Sequence, residues 1–361
     1  MKFTGLWKPL GAAMGGGTPR AAERRKPRLE RWVWALALVA WAGVVFIQAQ
    51  APQPDGAGIE PGKLPVRWDT GGPKCMEMPE WQVHEYNEDL YILRESGCVH
   101  YEKPFLYLIF GKDKAMLMDT GAGTTELAMF VDQVIARWLK RKGRQNIPLM
   151  VMHSHGHRDH IARDSQFSNR PGVEFVPAEI PAVQKAFGIA TWPTSIGRID
   201  LGERIIDVVP IPGHHPVGIG LYDRRTALFL PGDNVYPGRL YVTDWAAFAA
   251  STQRMVDFTQ GRLISHILGC HIEQSKTPYL EYTIGSIFQP DEHVLELTRG
   301  DLLALNEALK ELGGTPKRLA LANMTIYPIL DDATRQEMQK NRLETETRQR
   351  QTMYAQPAST R

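Results

Sequence analysis

Histidine and carboxylate side chains are the natural ligands of zinc and similar divalent metals. In this chain they concentrate in one stretch, His153-Ser154-His155-Gly156-His157-Arg158-Asp159-His160. An apolar run, Ile147 to Met152, leads straight into it, so the cluster sits where a buried strand gives way to a loop. Loops carried on a rigid scaffold are where sites are usually built. Three histidines and an aspartate in the pattern H-x-H-x-D-H therefore read as a metal site. A solvated histidine-rich loop is the weaker reading.

Four further segments place chemistry-bearing residues after apolar runs: Asp119-Thr120-Gly121, Pro212-Gly213-His214, Gly232-Asp233, and His271. Together with the histidine cluster they resemble, in order, the motifs of the metallo-β-lactamase superfamily over roughly Leu90 to His271. The resemblance implies a four-layer αβ/βα sandwich with mixed sheets. It also implies two divalent metals, zinc by preference, with iron or manganese chemically possible. His155, His157 and His214 would hold one metal; Asp159, His160 and His271 would hold the other; Asp233 would bridge them. The implied activity is hydrolysis by a hydroxide activated between two metals, with Asp159 also catalytic by orienting the nucleophile and passing a proton. Asp119 is expected to support the ligand loops.

Asp233 resembles the bridging residue of glyoxalase II-like thioesterases, lactonases and phosphodiesterases. True metallo-β-lactamases usually lack that carboxylate. The expected substrate is thus a small ester, lactone, thioester or related acyl compound. Phosphodiesterase, β-lactamase and a non-catalytic, metal-stabilised envelope binding module are the alternatives.

Other residues near the motifs receive lesser roles. His153 reads as structural or as supporting the ligands from behind, His215 as supporting the ligands or lining the pocket, and Cys270 as pointing away from the metals. Tyr236, Arg239, Tyr241 and Trp245, with Lys276, Tyr279 and Tyr282, are candidate pocket residues, with Arg239 or Lys276 as anion binders. The segment from Thr277 to Leu297 matches no motif and reads as a substrate-facing insertion.

The elements that must position these groups alternate along the chain. Leu90–Leu93, Phe105–Phe110, Ala115–Met118 and Ile205–Ile211 read as strands. Gly218–Tyr222 and Ala227–Leu230 read as a hairpin, and Leu263–Leu268 as the strand before His271. Leu127, Val131, Val134, Ile135 and Trp138 recur at helical spacing, with Thr124 or Thr125 as the expected cap. A late amphipathic helix spans Leu302–Leu312. Alternation interrupted by hairpins predicts an α/β class with mixed sheets.

The catalytic domain is thus assigned to 76–330, preceded by a linker over 52–75 and followed by a charged C-terminal tail, a surface helix and loose end, over 331–361. Residues 1–51 carry a basic stretch and then the uncharged run 32–47. They read as a signal peptide or a membrane anchor, which would place the catalytic domain outside the cytoplasm, in the periplasm. There Cys75 and Cys98 would form a disulfide or remain two thiols. The formal net charge is +2, so no strong field draws nucleic acid, and a small-molecule substrate is expected.

Overall fold

Strands β2 (Leu90–Glu95), β3 (Phe105–Phe110), β4 (Ala115–Met118) and β5 (Leu149–Met152) are buried at every residue. A strand covered on both faces loses the alternation of a half-exposed one, which is why these segments read as continuous apolar runs. With β1 (Trp81–Asn87) and β6 (Val173–Phe175) they form a six-stranded sheet in sequential order. β1 to β4 pair antiparallel, and β4, β5 and β6 run parallel. The computed structural model describes residues 58–69 and 78–355. The basic N-terminal stretch, the apolar run 32–47 and Cys75 lie outside the described residues. No helix among the described residues is long and apolar enough to cross a membrane.

A second six-stranded sheet comprises β7 (Gly197–Asp200), β8 (Ile205–Pro210), β9 (Ile219–Asp223), β10 (Leu228–Leu230), β12 (His266–Leu268) and β13 (Glu296–Leu297). Its order is β13-β12-β10-β9-β8-β7. The predicted hairpin is β9 and β10, paired antiparallel, while β10 and β12 run parallel. A small third sheet joins β11 (Arg239–Val242), β15 (Thr325–Pro328) and β14 (Leu319–Ala320).

The side-chain period of two along each strand distributes residues between distinct cores. Ile92, Tyr107, Ile109, Met116 and Met150 from the first sheet meet Ile206, Val208, Leu221 and Leu228 from the second. Their neighbours face the other way. Leu106, Leu108, Leu117 and Val151 pack under Leu127, Val131, Val134 and Trp138 of helix α1 (Leu127–Lys142). Val209, Phe229 and Ile267 pack under two later helices, α4 (Trp245–Thr259) and α5 (Arg299–Leu312). The result is helix, sheet, sheet, helix: the four layers that the motifs implied. Two short helices, α2 (Arg158–Ile161) and α3 (Ile180–Phe187), and a long C-terminal one, α6 (Asp332–Ala355), complete the set.

Two local expectations are corrected. Neither Thr124 nor Thr125 caps α1: Glu126 holds the cap position without a side-chain cap bond. Thr125 is committed to Arg163, whose Nη2 donates to its hydroxyl at 2.7 Å and whose Nε donates to its carbonyl at 2.8 Å. The strand before His271 is confined to His266–Leu268, since Leu263 is exposed and has no core to face.

Candidate metal centre

Strands β4, β5, β8, β10 and β12 all deliver their C-terminal ends to one edge of the sandwich. Ligands in layered α/β folds bind beyond the carboxyl ends of strands, and each motif follows one of these ends. Asp119 follows β4, the histidine cluster follows β5, His214 follows β8, Asp233 sits in a single 3-10 turn after β10, and His271 follows β12. The His214 turn needs glycine before it. Gly213 has φ +135, and a Cβ there would lie 2.4 Å from the Phe248 backbone.

The fold gathers all seven predicted ligands into two groups. His155, His157 and His214 form one; Asp159, His160, Asp233 and His271 form the other, and within each the ligand atoms lie within 4.8 Å of one another. Asp233 Oδ2 stands between them, at 3.8 Å from His155 Nε2, 3.5 Å from His214 Nε2, 3.4 Å from His160 Nε2 and 3.3 Å from His271 Nε2. Asp159 Oδ2 is 3.2 Å from His160 Nε2 and 3.3 Å from His271 Nε2.

The outward nitrogens of four histidines have acceptors, which assigns their tautomers. His214 Nδ1 donates to the Tyr241 carbonyl at 2.7 Å and His271 Nδ1 to the Glu102 carbonyl at 3.0 Å. His160 Nδ1 donates to Asp119 Oδ2 at 2.9 Å. His155 Nδ1 donates to Ser154 Oγ at 3.0 Å, and that hydroxyl donates to Asp119 Oδ2 at 2.8 Å. The inward Nε2 atoms of His155 and His214 therefore present lone pairs to His157, while those of His160 and His271 face the Asp159 and Asp233 carboxylates. His157 Nδ1 lies 3.0 Å from His155 Nε2 and 2.9 Å from His214 Nε2. A proton on His157 Nδ1 can fully satisfy only one of these two contacts, and the other sets lone pair against lone pair, a repulsion that a cation among the three rings removes. Asp233 Oδ1, moreover, is buried without a hydrogen-bond partner. Both observations fit a divalent-cation centre.

Burial, reinforced by neighbouring histidines, lowers the proton affinity of this first group: His155 falls well below the usual imidazole range and His214 to about 4. In the second group burial again opposes charge. The carboxylates of Asp159, Asp233 and Asp119 overcome it and raise His160 well above its usual range.

Asp119 is the hub beneath the centre. It is fully buried at φ +71, a left-handed conformation that aspartate and asparagine tolerate better than most residues. It also accepts from the Ser154 backbone N–H at 2.7 Å. Cys270 points away from His271 and toward this hub, its Sγ 3.5 Å from Asp119 Oδ2. His153 turns aside to Asp164 and the Val176 carbonyl. The His215 ring packs beside that of His157, 4.8 Å between centroids.

A cavity of about 470 Å³ opens over His157, Asp159, His214, Asp233 and His271. Tyr236 and Tyr241 line it as expected. Their hydroxyls are engaged with Arg239 and its surroundings, so they offer ring surface. Arg239 is not an anion binder. It is buried, pairs with Glu273 at 2.9 Å and also donates to the Tyr282 carbonyl. Lys276 is exposed, 3.9 Å from Asp291. Lys276, Trp245, Tyr279 and Tyr282 lie outside the cavity lining. Of the unexplained segment only Ile284 reaches the cavity. Sequence reasoning missed Tyr101, Glu102 and four residues of α6: Arg335, Met338, Gln339 and Arg342. Nothing local marks either: the α6 residues are mostly polar, and Glu102, whose carboxyl burial and the Asp159 charge push up to about 7, stands in no motif.

Residues 104–280 match the metallo-beta-lactamase superfamily and form a domain of that superfamily. Relatives include the acyl-coenzyme A thioesterase MBLAC2 of Bos taurus, 24% identical over 236 residues, 54% of this chain and 83% of that protein. The Homo sapiens protein of the same name is 23% identical over 234 residues, with the same coverage. Among solved structures, a metallo-beta-lactamase from Erythrobacter litoralis is 13% identical, with a TM-score of 0.45 over 65% of this chain and 98% of that one.

Proposed function

We propose that this chain is a two-metal hydrolase of acyl substrates, with thioesters foremost among esters, lactones and related compounds. The observation that carries the reading is Asp233 Oδ2, standing within 3.8 Å of imidazole nitrogens from both ligand groups. A carboxylate so placed suits a bridge between two cations. The similarity to thioesterases at 24% identity moves thioesters ahead of the other acyl classes. His155, His157 and His214 would hold one metal, Asp159, His160 and His271 the other, and Asp233 would be shared between them. Zinc suits the imidazole-rich donor set. When bound, such cations supply Lewis acidity and a nucleophilic water at neutral pH.

The chain's own residues do the rest. Asp159 reaches the cavity beside His160 and His271, where it accepts a proton from the attacking water and returns it to the leaving group. Tyr236 and Tyr241 cover the centre with ring surface, and Ile284, Ile329 and Met338 give an acyl group an apolar bed. The export signalled by 32–47 remains part of the proposal and places this chemistry outside the cytoplasm.

The test is metal content of the purified protein beside turnover of a thioester, ester, lactone, cephalosporin and phosphodiester panel. About two metals per chain with chelator-sensitive acyl hydrolysis is expected. A folded protein that takes up no metal on reconstitution refutes the centre. In the variant Asp233→Ala, metal and activity should disappear together, and full activity there refutes the bridge.

A further inference from the structure

The residues that α6 gives to the cavity, Arg335, Met338, Gln339 and Arg342, stand at i, i+3, i+4 and i+7, one stripe of a helix. The same face continues into the residues that dock it. Thr345 is buried. Gln349 Oε1 accepts from the backbone N–H groups of Ile287 and Phe288 at 2.6 and 3.2 Å. Beneath the stripe lies Gly285, at φ +86, where a Cβ would stand 2.4 Å from the Arg342 carbonyl oxygen. The helix is thus a seated wall of the cavity, and the segment that matched no motif is its seat.

A helix in contact with its domain can turn arginines to the solvent side. Here the docked stripe carries two of them. Their partners are also weaker than those of the buried arginines. Arg94 and Arg204 each meet a carboxylate through two bonds. Arg335 has the Ile329 carbonyl at 3.4 Å and the Asp332 carboxylate at 4.0 Å, and its side chain is half exposed. Arg342 lies over the Tyr101 ring at 5.1 Å and reaches Glu346 at 3.3 Å. That carboxylate also takes two bonds from Arg350 at 3.0 Å. Both guanidinium groups keep donors for a further acceptor, in the fork geometry that suits an oxyanion.

We propose that Arg335 and Arg342 bind an oxyanion group of the substrate, a phosphate or a carboxylate, at a distance from the bond that is cleaved. The substrate would then be an acyl compound with an anionic leaving portion, and α6 would set specificity. This rests on the acyl-hydrolase reading.

Three thioesters with one acyl group separate the possibilities: on coenzyme A, which carries phosphates; on glutathione, which carries carboxylates; and on N-acetylcysteamine, which carries no anion. For Arg335→Gln and Arg342→Gln, KM for one of the anionic thioesters should rise about tenfold each, the scale of a charge-assisted hydrogen bond. KM for the neutral thioester and metal content should stay unchanged. Arg→Lys variants should recover part of the loss. A double Gln variant that still discriminates between anionic and neutral thioesters overturns the proposal. Calorimetry with the non-cleavable S-methyl thioethers of coenzyme A and glutathione keeps the test independent of turnover. Binding to the unaltered protein, lost in the double variant, supports the site even if no thioester is cleaved. Absence of binding by either thioether, or equal binding to both proteins, refutes it.

Discussion

Replacing Asp119 with asparagine isolates the hub from the ligands it supports. Asparagine has the same shape and tolerates the left-handed backbone at φ +71, so the turn should persist. What changes is acceptor capacity. The carboxylate takes hydrogen bonds from Ser154 N–H at 2.7 Å, Ser154 Oγ at 2.8 Å and His160 Nδ1 at 2.9 Å. These divide between its two oxygens. The amide retains one oxygen and turns its NH2 against donors, leaving at least one buried donor unmatched. Such a loss costs about 1–3 kcal/mol. Because His155 is oriented through Ser154 and His160 directly, both ligand groups are affected. Loss of outer partners of metal-binding histidines typically reduces metal affinity by about 10–100-fold. Zinc competition with a chromophoric chelator gives the affinity, and urea denaturation of the metal-free protein gives the stability. A variant with unaltered zinc affinity and an unaltered urea midpoint would show that Asp119 is only a turn residue.

Two further expectations concern the walls of the site. Arg239→Ala should lower stability by about 3 kcal/mol, the low end of the cost of breaking a buried ion pair, because Arg239 is buried and its partner Glu273 only partly so. A rise in KM with no change in the urea midpoint would instead return Arg239 to substrate binding. Burial, together with the Arg94 charge, pushes the Lys103 ammonium down to about 8. The unfolded chain therefore binds the proton more readily, and this lysine's contribution to stability should improve as pH rises from about 8 to about 10.4. Urea midpoints of Lys103→Met should lack that slope relative to the unaltered protein, and parallel pH profiles would contradict the assignment.

The residues that the fold gathers at the candidate centre were legible because metal chemistry restricts residue type and the motifs follow apolar strands whose burial is written in their composition. His155, His157 and Asp159 need only local spacing. His214, Asp233 and His271 are recognisable by the strand ends they follow. The walls were not legible in this way. Arg239 carries a charge that suits an anion, yet its partner Glu273 lies far along the chain, and nothing local reveals that the two meet. The polar residues of α6 read as a solvated surface, since no apolar stripe marks a docked face. Its seat is made instead by Gln349 bonding to backbone N–H groups and by the missing side chain of Gly285. Thr125 failed as a cap for a related reason: Arg163, distant in sequence, competes for the same oxygen atoms.

The histidines of the proposed centre differ in who holds them. His214 and His271 are held by the main-chain carbonyls of Tyr241 and Glu102, and a peptide carbonyl survives any side-chain replacement. His155 and His160 depend on the side chains of Ser154 and Asp119. Replacement of the side chains at 102 and 241 therefore leaves these two acceptors in place, and changes the cavity wall without removing a histidine's partner. Replacement at 119 or 154 removes the acceptor itself. The orientation of the four rings is thus lopsided in what it depends on, main chain on the side facing the cavity and side chains on the side facing the sheet interior.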